Sequence, residues 1–255
     1  MGEATAPLLS LRQLTRRFGG LTAVDSVSAE IRRGELVGLI GPNGAGKTTL
    51  FNLISGVTPP SSGEVAFEGR VITGLRPFEV ARLGIARTFQ NLRIFPNMTV
   101  FDNVSVGAIR DSGLRDALFE RASARGQAIS SVSTEMLAKV GLASFSDQLA
   151  ANLSYGKRKL LEIARALAGG PRLLILDEPA AGLNDTETAE LAQFIERLRD
   201  EGLTILLVEH DMGLVMRVCS RVVVLAFGRK IADADPATVR RDPAVLDAYL
   251  GTGDE

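Results

Sequence analysis

Several residue types are rare or absent in this 255-residue sequence, which has one cysteine, one histidine and no tryptophan. The single cysteine, Cys219, cannot form an internal disulfide, so a disulfide-stabilised secreted domain is excluded. Lys and Arg number 29 against 30 for Asp and Glu. The chain therefore lacks the basic excess that nucleic-acid-binding proteins use. These features favour a cytoplasmic protein without a nucleic-acid partner.

Long apolar runs are also lacking. No uncharged apolar stretch approaches the roughly 20 residues that span a bilayer, since the run at 203–208 ends at Glu209. The N-terminal stretch does not combine basic residues, an apolar segment and a cleavage site. We therefore expect any membrane attachment to go through a partner protein. The length suits one elaborated domain better than two independent ones.

A glycine-rich stretch at 41–49 has the spacing of a phosphate-binding loop: glycine, four residues, glycine, lysine, threonine. Its residues are Gly41, Pro42, Asn43, Gly44, Ala45, Gly46, Lys47, Thr48 and Thr49. An apolar run typical of a buried strand precedes it, and apolar residues at helical spacing follow it. Its backbone N–H groups and Lys47 are expected to hold phosphates, with the Thr48 hydroxyl on Mg²⁺. The stretch therefore predicts a nucleotide site.

A second apolar run, 173–176, ends in Asp177 and Glu178. Ligands of parallel-sheet proteins bind at the carboxyl ends of strands, so Asp177 is expected to serve Mg²⁺ and Glu178 an attacking water. An extended strand end would point the two side chains in different directions. The next strand leads to His210, the only histidine. A lone histidine is more often structural, but its position one strand after the acids favours a functional role.

Two further positions are candidates for the same site. Phe18, just upstream of the loop, is as consistent with stacking on adenine as with a place in the core. Ser154 occupies the N-cap position of a helix with one apolar stripe at 160–167, so Ser154 and Gly156 are a second possible phosphate contact. The polar segment 107–133 is expected to be exposed helix and loop.

In this order the motifs resemble those of the ATPase subunits of ATP-binding cassette (ABC) transporters. They are the loop at 41–49, Gln90 in Thr88-Phe89-Gln90, Leu153-Ser154-Tyr155-Gly156-Lys157, Leu176-Asp177-Glu178-Pro179 and His210. The resemblance implies an α/β fold, with a P-loop NTPase (RecA-like) core and a mainly parallel sheet, an N-terminal antiparallel β subdomain and an inserted helical subdomain. Residues 1–255 would form one cassette, with the core at about 8–91 and 169–235, the helical subdomain at 92–168 and a C-terminal helix and tail at 236–255.

The resemblance also implies roles for individual residues. Phe18 would stack on the adenine of ATP, and Gln90 would link Mg²⁺ and the γ-phosphate to a membrane subunit. Glu178 would be the catalytic base, with Gln90 and His210, the γ-phosphate sensor, as the other catalytic residues. Thr48, Gln90 and Asp177 would hold Mg²⁺. Two cassettes would pair head to tail, so that Ser154 and Gly156 complete the site of the opposite subunit.

Finer features resemble the importers of branched-chain and other hydrophobic amino acids. They are 88–95 with 98–100, then 179–184, 209–212 and 248–251. The apolar residues after Gln90 are expected to border a groove for a helix of a membrane subunit; they are Leu92, Ile94, Phe95, Met98, Val100 and Phe101. The implied partners are two hydrophobic membrane permeases, a second cassette that is the same or a different chain, and indirectly a solute-binding protein. The implied location is peripheral, on the cytoplasmic face of the cell membrane.

Other functions stay open at this point. A urea importer, a lipopolysaccharide-export ATPase or a soluble non-transport cassette would carry similar motifs. Tyr155 and Lys157 depart from the usual Leu-Ser-Gly-Gly-Gln signature of the family, in which a glycine and a glutamine stand at their positions.

Overall fold

The computed structural model describes residues 6–109 and 124–250. The strands are β1 (Leu9–Phe18), β2 (Leu21–Ile31), β3 (Leu36–Ile40), β4 (Ser62–Phe67), β5 (Arg70–Val71), β6 (Ile85–Arg87), β7 (Leu173–Asp177), β8 (Thr204–Val208), β9 (Arg221–Ala226) and β10 (Arg229–Ala234). The helices are α1 (Lys47–Ile54), α2 (Pro77–Arg82), α3 (Val100–Ala108), α4 (Ala124–Lys139), α5 (Tyr155–Ala168), α6 (Asp185–Asp200), α7 (Met212–Val218), α8 (Pro236–Val239) and α9 (Pro243–Leu250). Within these ranges no helix is long and apolar enough to cross a membrane.

The larger sheet has the strand order β10-β9-β3-β8-β7-β6. Its pairs are parallel except for β10 with β9. Every residue of β3, β7 and β8 is buried, as expected for parallel strands covered on both faces. The buried strands predicted from these apolar runs and the mainly parallel sheet implied by the resemblance are confirmed.

The smaller sheet is antiparallel, with the order β2-β1-β4-β5. Strands β1 and β2 form a hairpin around the turn at Gly19 and Gly20, and β4 pairs with the other edge of β1. The antiparallel strands expected near the N-terminus are therefore present, and the hairpin after residue 62 joins the same sheet.

Two apolar cores lie on opposite faces of the parallel sheet, because side chains alternate along each strand. In β3, Leu36 and Ile40 belong to the core under the helices, whereas Val37 and Leu39 face the antiparallel sheet and α1. The parallel sheet is thus held between a helical layer and a second sheet, and the stiff central strands fix the position of the loops at their ends.

Helices α3, α4 and α5 pack together beside this frame. Gly107 allows α3 to lie close to α5, since a Cβ at residue 107 would be 2.0 Å from the carbonyl oxygen of Arg165. The expectation that 107–133 is exposed is wrong at Ser133, which is buried and shares a 3.0 Å hydrogen bond with Ser105. Residues 110–123 of that segment lie outside the described residues. The expected terminal helix is α9.

Candidate nucleotide site

The order of the parallel strands places the candidate residues in a row. Strands β3, β8, β7 and β6 are neighbours, and they lead respectively to the loop at 41–46, to His210, to Glu178 and to Gln90. All lie at the carboxyl edge, where sheets of this kind bind ligands. Residues that are up to about 170 positions apart in the chain are therefore brought together by the pairing of their strands.

The loop at 41–46 has a backbone that fits a phosphate group. Gly46 precedes α1 with φ 99°, and no side chain caps the helix and no acid lies in its first turn. A Cβ at Gly46 would lie 2.4 Å from the carbonyl oxygen of Ala23, so a larger residue would force the loop away from β2. The positive end of α1 is thus left to an anion, as the motif requires.

Lys47 is buried at the start of α1. Its ammonium donates to the carbonyl oxygens of Gly41, at 2.7 Å, and Pro42, at 3.1 Å. Burial lowers the pKa of Lys47, and the carboxylates of Glu178 and Asp177 oppose that shift. The side chain therefore lies across its own loop and bonds to two of the loop's carbonyl oxygens.

Glu178 contacts the other two candidate catalytic residues, His210 and Gln90. One carboxylate oxygen lies 2.8 Å from Nε2 of His210, and the other accepts a 2.7 Å hydrogen bond from the amide of Gln90. The expectation of an extended strand end is wrong, because Glu178 has φ 48°. This left-handed conformation is uncommon outside glycine and turns the chain sharply at the end of β7.

Asp177 has a partner that the sequence motifs did not indicate. Its carboxylate accepts a 2.8 Å bond from Arg87, and both side chains are buried. The same guanidinium donates to the side chains of Asn52, at 2.7 Å, and Ser55, at 3.2 Å, in and just after α1. Arg87 therefore ties the acid to the helix that follows the phosphate loop.

The donor set fits Mg²⁺, a cation that takes oxygen ligands and usually shares them with substrate phosphates. Thr48 supplies a hydroxyl, Gln90 an amide oxygen and Asp177 a carboxylate, all near the carboxyl edge. Among the described residues no group of three His, Cys, Asp or Glu side chains could hold a metal by itself. The arrangement therefore suits an ion bound together with a nucleotide rather than a preformed protein cage.

Phe18 is 46 % exposed at the end of β1, which rules out the core position that the sequence left open. The guanidinium of Arg16 lies 4.5 Å from the centre of its ring. An aromatic ring that is backed by a cation and open to solvent can stack on a base.

Ser154 and Gly156 lie at the start of α5, where Ser154 accepts the N–H of Lys157 as the predicted N-cap. A Cβ at Gly156 would meet Glu187 of α6 at 2.6 Å, and one at Gly182 would meet the ring of Tyr155 at 2.9 Å. These neighbours belong to α5, α6 and the loop before α6, not to the loop at 41–49. The unusual tyrosine therefore packs on the glycine-containing turn that follows Glu178.

Glu209 is a further buried acid that pattern analysis missed. It accepts the N–H groups of Ala180, at 2.7 Å, and His210, at 3.2 Å. Burial raises the pKa of Glu209, and these backbone bonds oppose the shift. Glu209 thereby joins the turn after Glu178 to the turn that carries His210.

Comparison with known proteins agrees with this geometry. Residues 24–181 match the family model described as ABC transporter, and residues 229–255 match the model described as branched-chain amino acid ATP-binding cassette transporter. The high-affinity branched-chain amino acid transport ATP-binding protein LivG of Salmonella typhimurium is 44 % identical over 251 residues, which cover 96 % of this chain and 98 % of LivG.

Solved structures give the same result. The ATP-binding cassette MJ1267 in its ADP conformation has a TM-score of 0.85 and 31 % identity, covering 97 % of this chain and 100 % of that one. A dimeric structure of the bacterial ABC transporter cassette MJ0796 has a TM-score of 0.77 and 26 % identity. The match covers 89 % of this chain and 98 % of the MJ0796 chain. The α/β P-loop NTPase fold is therefore confirmed. This chain belongs to the ABC transporter family as an ATP-binding cassette, and its C-terminal segment is that of the branched-chain amino acid group.

Proposed function

We propose that the protein hydrolyses ATP to drive the import of branched-chain or similar hydrophobic amino acids through membrane permeases. The observation that carries this proposal is the placement of Glu178, which contacts both His210 and Gln90 at the edge of the sheet that also bears the phosphate loop. A carboxylate held between an imidazole and an amide next to a phosphate site is suited to activating water.

Each residue then has a defined task. The loop amides and Lys47 bind the phosphates, and Phe18 stacks on adenine. Glu178 takes the proton of the attacking water, while His210 contacts the γ-phosphate. When bound, Mg²⁺ would neutralise charge on the β- and γ-phosphates, and Thr48, Gln90 and Asp177 would hold it.

The working unit in this proposal is a head-to-tail pair of cassettes. Ser154 and Gly156 have neighbours in their own helical region, so they are available to the nucleotide bound by a partner cassette. Their helix N-terminus would face that γ-phosphate. The partner is either a second copy of this chain or a different cassette.

The membrane partners bind next to Gln90. Phe89 and Phe95, on either side of the Gln90 turn, are both more than one-third exposed. Aromatic side chains left in solvent are typical of a surface that receives a helix of another protein. The protein thereby attaches peripherally to the cytoplasmic face of the membrane, and the solute-binding protein is reached only through the permeases.

Copurification from membranes tests this proposal. A tagged chain is expected to bring down two hydrophobic permeases and a cassette, and the purified complex should hydrolyse ATP faster when a branched-chain amino acid and its binding protein are added. Stimulation of ATP hydrolysis by urea would indicate a urea importer. Copurification of lipopolysaccharide-export components would indicate an export ATPase. Recovery of ribosomes or DNA instead of permeases would contradict a transport function.

A further inference from the structure

Two charged side chains of α5, Lys159 and Glu162, are each only 3 % exposed. Buried charges cost free energy unless polar groups surround them. Burial accordingly lowers the pKa of Lys159 and raises that of Glu162. Apolar residues at these positions would extend the core, and neither side chain has a task in the function described above. Their burial therefore calls for a different explanation.

Both side chains bind the backbone around Gln90. Glu162 accepts the N–H groups of Phe89, at 3.4 Å, and Arg93, at 3.3 Å. Lys159 donates to the carbonyl oxygen of Gln90 at 3.4 Å. Residues three apart lie on one face of a helix. One face of α5 thus holds the turn that carries Gln90 in two ways. Glu162 binds backbone N–H groups of the turn, and Lys159 binds a backbone carbonyl oxygen of it.

Lys159 also reaches Glu178. Its ammonium lies 3.2 Å from the carbonyl oxygen of Glu178, the residue that has the left-handed backbone conformation. A bond to that carbonyl supports a conformation that a glutamate does not favour by itself. Lys159 therefore bridges the two segments whose side chains, Gln90 and Glu178, bond to each other.

We propose that Lys159 and Glu162 are positioning residues through which the placement of α5 sets the orientation of Gln90 and Glu178 in the same chain. The N-terminus of α5 carries Ser154, so a shift of this helix on meeting a partner cassette reaches the chain's own Glu178 through Lys159. Displacements of about 1 Å at a reacting group change rates strongly. The inference rests on the proposed function, because it takes Glu178 as the base.

Lys159→Met in the purified transporter complex tests the proposal, because it keeps the length of the side chain and removes the charge. We expect kcat for ATP to fall about 10–100-fold, while the Kd for ADP stays within about twofold, since Lys159 does not contact the nucleotide. Lys159→Arg should recover most of kcat because a guanidinium can donate to both carbonyls. Lys139→Met, which removes a partly exposed lysine of α4 that pairs with Glu201, is the matched control and should leave kcat unchanged.

Glu162→Gln provides a second variant that keeps the size of the side chain if Lys159→Met does not fold. Loss of the charge weakens the bonds to the two N–H groups, so we expect kcat to fall at least about threefold with ADP affinity retained. An unchanged kcat in either variant, or an arginine variant no better than the methionine one, would overturn the proposal. Glu178→Gln in the same assay separates the proposed function from the positioning role. Normal turnover of Glu178→Gln would refute the proposed function. Loss of turnover in Glu178→Gln together with normal turnover in Lys159→Met would refute only the positioning role.

Discussion

Arg87 and Asp177 form an ion pair of 2.8 Å with side-chain exposures of only 9 % and 6 %. The pair joins β6 to β7, and the bond from Arg87 to Asn52 extends it to α1. Three elements that border the candidate nucleotide site therefore meet at one guanidinium. Because Arg87 is planar and has several donors, it can serve the carboxylate and the amide at once.

Removal of this arginine is expected to destabilise the fold. Arg87→Met leaves Asp177 buried without its cation, a change that typically costs about 3–5 kcal/mol of unfolding free energy. Urea denaturation measures the loss. Arg12→Met, which breaks the exposed pair with Glu64, is the control and should cost no more than about 1 kcal/mol. Equal losses of unfolding free energy in the two variants would show that the buried Arg87–Asp177 pair stabilises the fold no more than the exposed one.

Local patterns predicted the parts of the site that lie within short motifs. They are the glycine spacing at 41–49, the paired acids at 177–178 and the strand before His210, whereas the order in which the buried strands pair was not predicted from them. The partners of Asp177 were not predictable, because Arg87 lies 90 positions earlier in the chain and no local periodicity marks it. Lys159 has no local signal either, because its partners Gln90 and Glu178 lie 69 and 19 positions away in the chain.

The backbone conformation of Glu178 was also not predicted from the sequence. The paired acids were expected at an extended strand end, yet Glu178 is left-handed. That turn depends on bonds from outside the segment, including the one from Lys159 to its carbonyl. Tertiary contacts of this kind override the preference of a single residue, and a sequence pattern does not contain them.

The trans arrangement predicts a selective defect in Ser154→Arg. The arginine would crowd the surface that faces the partner's nucleotide, while the chain's own phosphate loop is untouched. We expect the monomer to bind ATP with nearly normal affinity and to fail in ATP-driven dimerisation, measured by light scattering. Ser144→Arg, at an exposed position outside α5, serves as the control. Normal dimerisation of Ser154→Arg would contradict the head-to-tail pairing.

The apolar residues after Gln90 separate into core and surface. Val100 is fully buried, whereas Phe95 is 44 % exposed. Phe95→Asp is therefore expected to weaken assembly with the permeases and to uncouple transport while the thermal stability of the isolated chain changes little. Val100→Asp should unfold it, because a carboxylate would be buried without a partner. If Phe95→Asp also unfolds the chain, the docking surface is wrongly assigned.

Cys219 gives a test of the core between the parallel sheet and the helices. Burial raises the pKa of its thiol to about 12 from the usual 9.0. At pH 8 the folded protein then has on the order of 10³-fold less thiolate than the unfolded chain. Reaction with a thiol-specific disulfide reagent should be correspondingly slow until denaturant is added. Fast labelling of the folded protein would place Cys219 outside the core.

The same shift predicts how stability depends on pH. The folded chain keeps the thiol proton more tightly than the unfolded one, so the contribution is fully present below pH 9 and is lost as pH rises from 9 toward 12. Wild-type protein should lose up to about 1.4 kcal/mol of unfolding free energy per pH unit more than Cys219→Ala in that range. Parallel curves for the two proteins would contradict the raised pKa.

Turnover of Glu178→Gln in the complete transporter complex is the most direct measurement of the central claim. The amide keeps the shape and the hydrogen-bonding reach of the side chain toward His210 and Gln90 but cannot accept a proton. We predict that ATP affinity survives, that kcat falls about 10²–10⁴-fold, and that the variant accumulates as an ATP-bound dimer on gel filtration. Near-normal turnover of Glu178→Gln would contradict the assignment of Glu178 as the base.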